Sequence, residues 1–285
     1  MFSILVPIDF SKTSLNAVKY AVNFAQKFNS TITLYHSLYV SVSEMDSGMA
    51  NDILRERKSD LHSKLSRVAL QFAEYTYEQT GKPVEINTSM GEGLPSDSIK
   101  TLSEGDQFNL IIMGTQGERG SDEQSWGSIT TNVTSQVETP VLVIPLESTF
   151  KPYDKVVYAT VFDKDDIPVI DEMLAFSEKI EASLVCVQIT STDATEQKRA
   201  GQNQKLLENY YWFSTIEQLN FQVRANDSVE AGIKEFIQAE NADLLIVHPD
   251  NREFVGNLDE SVTRNLLLHI EMPTLVAKNI RKKSS

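Results

Sequence analysis

The sequence predicts an α/β protein with two tandem domains, each built on a five-stranded parallel sheet flanked by helices. In the first half, strand-like and helix-like segments alternate five times, which favours parallel strands joined by right-handed crossovers. The second half repeats the same order of segments, as expected for a duplicated unit. A length of 285 residues also suits about two domains of typical size.

Apolar spacing places the elements of the first half. A strand at residues 4–7 precedes a helix that Ser11 can cap, in which apolar residues recur every three or four positions. A long helix carries an apolar stripe from Leu54 to Tyr75, a short helix ends at Leu102, and a last helix starts at Gly127. Apolar or β-branched runs predict the remaining strands at 30–38, 84–90, 108–113 and 141–145.

Residues 147–153 break the periodicity and contain a proline, so they predict a linker between a first domain at 1–146 and a second at 153–280. In the second domain, strands are predicted at 155–160, 183–189, 221–225, 244–248 and 274–277. Helices are predicted at 167–180, 195–219 and 228–239, and from about residue 260.

The formal net charge of −14 argues against nonspecific binding to nucleic acid or to an anionic membrane, because those partners attract Lys and Arg. The longest apolar runs are strand-sized, far short of the roughly 20 residues of a membrane helix. The first residues show no signal peptide, and the single cysteine, Cys186, cannot form an internal disulfide. A cytoplasmic protein is therefore expected.

Residues 108–128 carry the most specific chemistry. An apolar strand ends at Gly114, and Gly117 and Gly127 follow before helical character resumes. Glycines let the backbone approach a ligand without a Cβ, and a helix start offers unpaired N–H groups and the positive end of the macrodipole. Ser128 adds a hydroxyl that can cap the helix or reach an anion. Strand, glycine loop and helix start together predict a phosphate site.

The spacing of these residues is specific. Two residues separate Gly114 from Gly117, and nine separate Gly117 from Gly127 and Ser128, which resembles the nucleotide-binding signature of the universal stress protein family in its ATP-binding branch. Residues 139–144, TPVLVI, are similar to the family's closing strand, and residues 4–11, ILVPIDFS, look like its first strand and adenosine-side turn. The resemblance implies Rossmann-like domains of the adenine nucleotide alpha hydrolase-like type. It also implies ATP or a related adenine nucleotide as ligand, with Mg²⁺ or Mn²⁺.

The turn after the first strand and the loop after the fourth both lie at carboxyl ends of parallel strands, so they can face one ligand. Asp9 can accept a hydrogen bond from a base amino group or a ribose hydroxyl; a turn or cap residue is the alternative. Pro7 and Met113 either supply apolar surface to an adenine ring or belong to the core. Ser37 stands where the family commonly has an apolar adenine-side residue. The resemblance implies nucleotide binding by Pro7, Asp9, Ser37, Met113, Gly114, Gly117, Gly127, Ser128 and Ile129.

The second domain has lost this signature. Val161 replaces Asp9 when the two halves are aligned, and Ala159 replaces Pro7. The three glycines are replaced by His248, Asn251 and Glu260. Their side chains fill the space that phosphates need, so the second domain is predicted to be structural and not to bind a nucleotide in this way.

The resemblance implies a nucleotide-dependent stress-response module that has an unknown protein partner and hydrolyses ATP slowly at most. It also implies that the two domains pair through residues 141–145 and 274–277 and mimic a homodimer; association of two chains stays open. The alternatives are an ATP-hydrolysing enzyme and a nucleotide-free interaction scaffold. The sequence has no Walker motif, no general base close to Ser128 and no histidines at metal-ligand spacing. No catalytic residue and no protein metal ligand is predicted.

Overall fold

The computed structural model describes residues 1–39, 50–105, 107–115, 127–163, 166–212, 218–248 and 271–278. The chain divides into two compact units, Met1–Phe150 and Lys151–Ser285. Each unit is built from strands and helices that alternate along the chain. Within the described ranges, no helix combines the length and apolar character that a membrane crossing requires.

The first unit is a five-stranded sheet in which all neighbouring strands are parallel. Its elements are β1 (Ser3–Pro7), α1 (Lys12–Lys27), β2 (Thr31–Leu38), α2 (Ala50–Thr80), β3 (Ile86–Glu92), α3 (Pro95–Ser103), β4 (Leu110–Gly114), α4 (Ser128–Gln136) and β5 (Val141–Ile144). The strand order is β3-β2-β1-β4-β5. The predicted α/β fold is confirmed, and its strand order reverses between β1 and β4, where such sheets form a crevice.

The central strands of this sheet are the core of the first unit. Ile4, Leu5 and Val6 of β1 are fully buried, and all five residues of β4 are buried. The N-terminus of α1 is fixed above them by Ser11, whose hydroxyl accepts a hydrogen bond of 3.1 Å from the Ser14 N–H. The predicted cap is confirmed. These contacts hold the turn between β1 and α1 in one position at the crevice.

The third strand begins two residues later than predicted. Val84 is buried, but its N–H donates to the Thr76 hydroxyl of α2 at 3.1 Å and not to a neighbouring strand. β3 instead pairs with β2 as far as Glu92, which lies opposite Leu38. Val84 is thus bonded to α2 and does not pair as a strand residue. Its apolar side chain alone does not distinguish these two cases.

The second unit is also a five-stranded parallel sheet. Its elements are β6 (Lys155–Ala159), α5 (Ile167–Lys179), β7 (Ser183–Thr190), α6 (Ala194–Tyr211), β8 (Leu219–Ala225), α7 (Val229–Ala239), β9 (Leu244–Val247) and β10 (Thr274–Val276). The strand order is β10-β9-β6-β7-β8. The predicted helix 195–219 ends early, at Tyr211, and β8 already starts at Leu219, where it pairs with Leu184. The helix predicted from about residue 260 lies outside the described residues.

The two units repeat each other down to the turn after their first strand. In the first unit, Ile8 N–H donates to Tyr35 O at 2.8 Å, and in the second, Thr160 N–H donates to Val187 O at 2.9 Å. Two residues beyond these donors, Phe10 and Phe162 adopt the left-handed conformation, with φ of 65° and 56°. A phenylalanine seldom adopts a positive φ, so the shared geometry supports a duplicated unit.

Glu172 of α5 makes the stability of the second unit depend on pH. Burial raises the pKa of its carboxyl to about 7, against an opposing effect of Lys179. A carboxyl whose folded pKa is raised contributes stability below its unfolded pKa and loses it as the pH rises through the folded value. Glu172→Gln is therefore expected to raise the thermal midpoint at pH 8 and to raise it clearly less at pH 5.5. Thermal denaturation at both pH values tests this, with the exposed Glu178→Gln of the same helix as control. Equal shifts at both pH values would contradict it.

Candidate functional site

A pocket opens at the carboxyl ends of β1, β2 and β4 in the first unit. It holds about 550 Å³ of empty space, part of which is open to solvent. Its walls come from the turn after β1, the end of β2, α3, the end of β4 and the start of α4. The lining residues are Pro7, Ile8, Asp9, Ser14, Tyr35, His36, Ser37, Pro95, Ile99, Met113, Gly114, Ile129 and Thr130.

Six of the nine residues predicted to bind nucleotide line this pocket: Pro7, Asp9, Ser37, Met113, Gly114 and Ile129. Gly127 and Ser128 immediately precede Ile129 at the start of α4. Gly117 lies outside the described residues. The structure therefore brings together segments that are more than 100 residues apart in the sequence.

Asp9 has a local role in the turn after β1. One oxygen of its carboxylate accepts a hydrogen bond of 3.0 Å from Ser11 N–H, and its own N–H donates to the Ser14 hydroxyl at 3.4 Å. These bonds support the left-handed conformation of Phe10 between them. A carboxylate has about four acceptor positions, so a turn role and contact with a ligand are compatible.

Gly114 is required by packing. A Cβ at this position would lie 2.7 Å from Thr13 Cγ2 and 2.9 Å from the Thr13 carbonyl oxygen. The carbonyl of Gly114 also accepts a hydrogen bond of 2.9 Å from the Thr130 hydroxyl. The missing side chain lets the first turn of α1 approach the end of β4, and the hydroxyl ties α4 to the same strand. The sequence interpretation assigned this glycine to ligand approach and missed its packing role.

The N-terminus of α4 carries no capping side chain. Gly127 is the N-cap residue, with no side-chain hydrogen bond and no acidic residue in the first turn. Ser128 is the first helical residue, so the hydroxyl expected to cap the helix does not do so. The first N–H to donate within the helix is that of Thr131, to Gly127 O at 3.0 Å. The N–H groups of residues 128–130 thus have no intrahelical acceptor, and they form the positive end of the helix dipole.

Ser37 takes part in a small hydroxyl cluster at the other end of the pocket. Its Oγ donates to Gly93 O at 2.8 Å and lies 3.3 Å from Ser98 Oγ. These bonds connect the end of β2 to the turn that precedes α3, where Gly93 has a φ of 113°. Tyr35, Pro95 and Ile99 line the same end with apolar surface.

His36 was not predicted as a site residue. Its Nδ1 lies 2.7 Å from Ile8 O, and its ring centroid is 5.1 Å from that of Phe10. Its place next to Ser37 at the end of a strand was a signal for a site residue. The sequence analysis addressed the histidines only as metal ligands. Among the described residues, no cluster of three or more His, Cys, Asp or Glu side chains could hold a metal ion.

A family model of the universal stress proteins matches residues 1–145. That range is just over half of the 285 residues and contains every residue of the pocket. The chain belongs to the universal stress protein family.

Curated relatives agree with this assignment. Universal stress protein MJ0531 of Methanocaldococcus jannaschii is 32% identical over 141 residues, which are 50% of this chain and 80% of that protein. Universal stress protein MJ0577 of the same organism is 27% identical over 157 residues, which are 50% of this chain and 93% of that protein. Each relative is about the size of one domain.

A solved structure matches the whole chain. The crystal structure of a universal stress protein from Archaeoglobus fulgidus is similar with a TM-score of 0.68 at 17% identity, and the match covers 98% of this chain and 96% of that chain. At this identity the likeness concerns the fold. It supports a Rossmann-like α/β fold in both halves.

Proposed function

We propose that the first domain, residues 1–146, binds ATP or a related adenine nucleotide and acts as a stress-response module. The second domain, residues 153–280, has a structural role. Bound nucleotide would change the surface that the first domain offers to a protein partner. Hydrolysis, if it occurs, is slow.

The observation that carries this proposal is the uncapped N-terminus of α4 at the pocket that Asp9 lines. Backbone N–H groups and the helix dipole bind anions well. Among the described lining residues there is no Lys or Arg, so phosphates would be held by backbone N–H groups. A divalent ion would enter with the nucleotide, bound by its phosphates, because the described residues form no metal cluster of their own.

The sheet order sets the direction of the ligand. Phosphates bound at the start of α4 would lie beyond β4, and a base packed against Tyr35, Pro95 and Ile99 would lie toward β2. These strands are separated by β1, which places their ends roughly 10 Å apart. That separation suits a nucleotide with its base over β2, its ribose near Asp9 and its phosphates at α4.

The second domain keeps the turn but not the ligand groups. Val161 stands at the position of Asp9, within a turn of the same geometry. His248 stands at the position of Gly114 and adds a side chain where a Cβ alone would be crowded in the first unit. These differences support one nucleotide per chain.

Asp9→Asn tests the ribose or base contact. The amide oxygen can still accept from Ser11 N–H, so the turn is retained, but the amino group meets the ligand as a donor. We expect ATP affinity to fall roughly 10-fold or more, the effect of losing a hydrogen bond to a charged group. Calorimetric titration with ATP and Mg²⁺ measures it, with the exposed Asp60→Asn on α2 as control. Unchanged affinity in Asp9→Asn would leave Asp9 with its turn role alone.

A further inference from the structure

We propose that His36 determines base specificity: its Nε2 accepts a hydrogen bond from the 6-amino group of the purine. The inference rests on the proposed nucleotide site and goes beyond it, because it names the side chain that separates 6-amino purines from other purines.

The tautomer of His36 is set by its neighbour. Its Nδ1 lies 2.7 Å from the carbonyl oxygen of Ile8. A carbonyl oxygen can only accept, so Nδ1 must carry the proton and donate it. In the neutral ring the other nitrogen, Nε2, is then an acceptor. The hydrogen bond to Ile8 O therefore leaves Nε2 as the acceptor of the neutral imidazole.

The position of Nε2 follows from the same bond. The two nitrogens point to different sides of the ring, so Nε2 faces away from Ile8 while Nδ1 faces it. Packing against Phe10, at 5.1 Å between ring centroids, holds the ring in this orientation. His36 lines the pocket, and within the described residues no hydrogen bond to its Nε2 occurs. An acceptor is therefore presented at the β2 end, where the base is placed.

A fixed acceptor selects a donor. Adenine offers its 6-amino group as a donor, whereas a 6-oxo purine offers a carbonyl oxygen, which brings two acceptors together. The nearby Ser37 hydroxyl cannot easily supply the missing proton, because it already donates to Gly93 O. A site built around a hydrogen bond rejects the analogue that lacks it. We expect ATP to bind roughly 10-fold or more tightly than a 6-oxo or 6-unsubstituted analogue.

The second unit shows that the fold accepts another polar side chain here. Gln188 has the position of His36, one residue after Val187 in the strand that pairs with β6. His36→Asn is the sharper variant, because its side-chain amide can still donate to Ile8 O while it removes the acceptor at the place of Nε2. The thermal midpoint of the variant shows whether the fold is intact.

The experiment measures affinities of nucleotide-free full-length protein for ATP, inosine triphosphate and purine riboside triphosphate, each with Mg²⁺. In the wild-type protein we expect a preference of roughly 10-fold or more for ATP. In His36→Asn we expect that preference to shrink toward 1, mainly through weaker ATP binding. Equal binding of the three nucleotides by the wild-type protein overturns the role of His36 and leaves the proposed function standing. A preference that persists in His36→Asn also overturns it. Binding of none of them removes the proposed function and, with it, this inference.

Discussion

Gly127→Leu should abolish most nucleotide binding and leave the protein folded. The backbone of Gly127 has a φ of −65° and a ψ of 157°, a conformation open to every residue. A side chain at an N-cap lies over the first N–H groups of its helix, so leucine would cover those of residues 128–130 without accepting a hydrogen bond. Losing several charge-assisted bonds to phosphate should weaken ATP binding roughly 100-fold or more.

Calorimetric titration with ATP and Mg²⁺ measures this loss, and circular dichroism confirms the fold. Ser135→Leu is the matched control, because Ser135 is exposed near the other end of the same helix. The control should bind ATP like the wild-type protein. A folded Gly127→Leu protein with unchanged affinity would show that phosphates do not lie at the N-terminus of α4.

Gly114→Ala should destabilise the first unit by about 1–3 kcal/mol, the usual cost of overpacking a well-packed core. The new Cβ would lie within 3.0 Å of three atoms of Thr13, two of which belong to the backbone of α1. Backbone atoms in a capped first turn cannot rotate away as a flexible side chain would. The end of β4 and the start of α1 would have to separate, and the pocket would widen.

The midpoint of thermal unfolding measures the effect. Gly201→Ala is the control, because its expected change in stability has the opposite sign. A Cβ at Gly201 in α6 would meet nothing within 4 Å, and alanine is favoured over glycine inside a helix by about 1 kcal/mol. We therefore expect Gly114→Ala to lower the midpoint and Gly201→Ala to raise it. Similar small increases in both proteins would contradict the packing role of Gly114.

The fold was largely predictable because its signals are local. Apolar periods of two and of three to four residues separate strands from helices, and alternation of the two implies a parallel sheet. One error fell where a contact with a neighbouring element decided the outcome. Val84 has the composition of a strand residue, but its N–H bonds to Thr76 of α2.

The site was predictable in part, for a similar reason. Glycine spacing marked the end of β4 and the start of α4, and the turn at Asp9 follows the first strand. The sequence did not show that Nδ1 of His36 meets the carbonyl of Ile8, 28 residues earlier in the chain. It also did not show that Gly114 faces Thr13, since both contacts depend on how strands and helices stack.

The most direct test of nucleotide binding is the identity and amount of nucleotide held by the purified protein. The protein is denatured, and the released small molecules are identified and counted by mass spectrometry. We expect close to one adenine nucleotide per chain, because the proposed site lies in the first domain and its residues are replaced in the second. No bound nucleotide, both as purified and after incubation with ATP and Mg²⁺, would contradict the account and favour a nucleotide-free interaction scaffold.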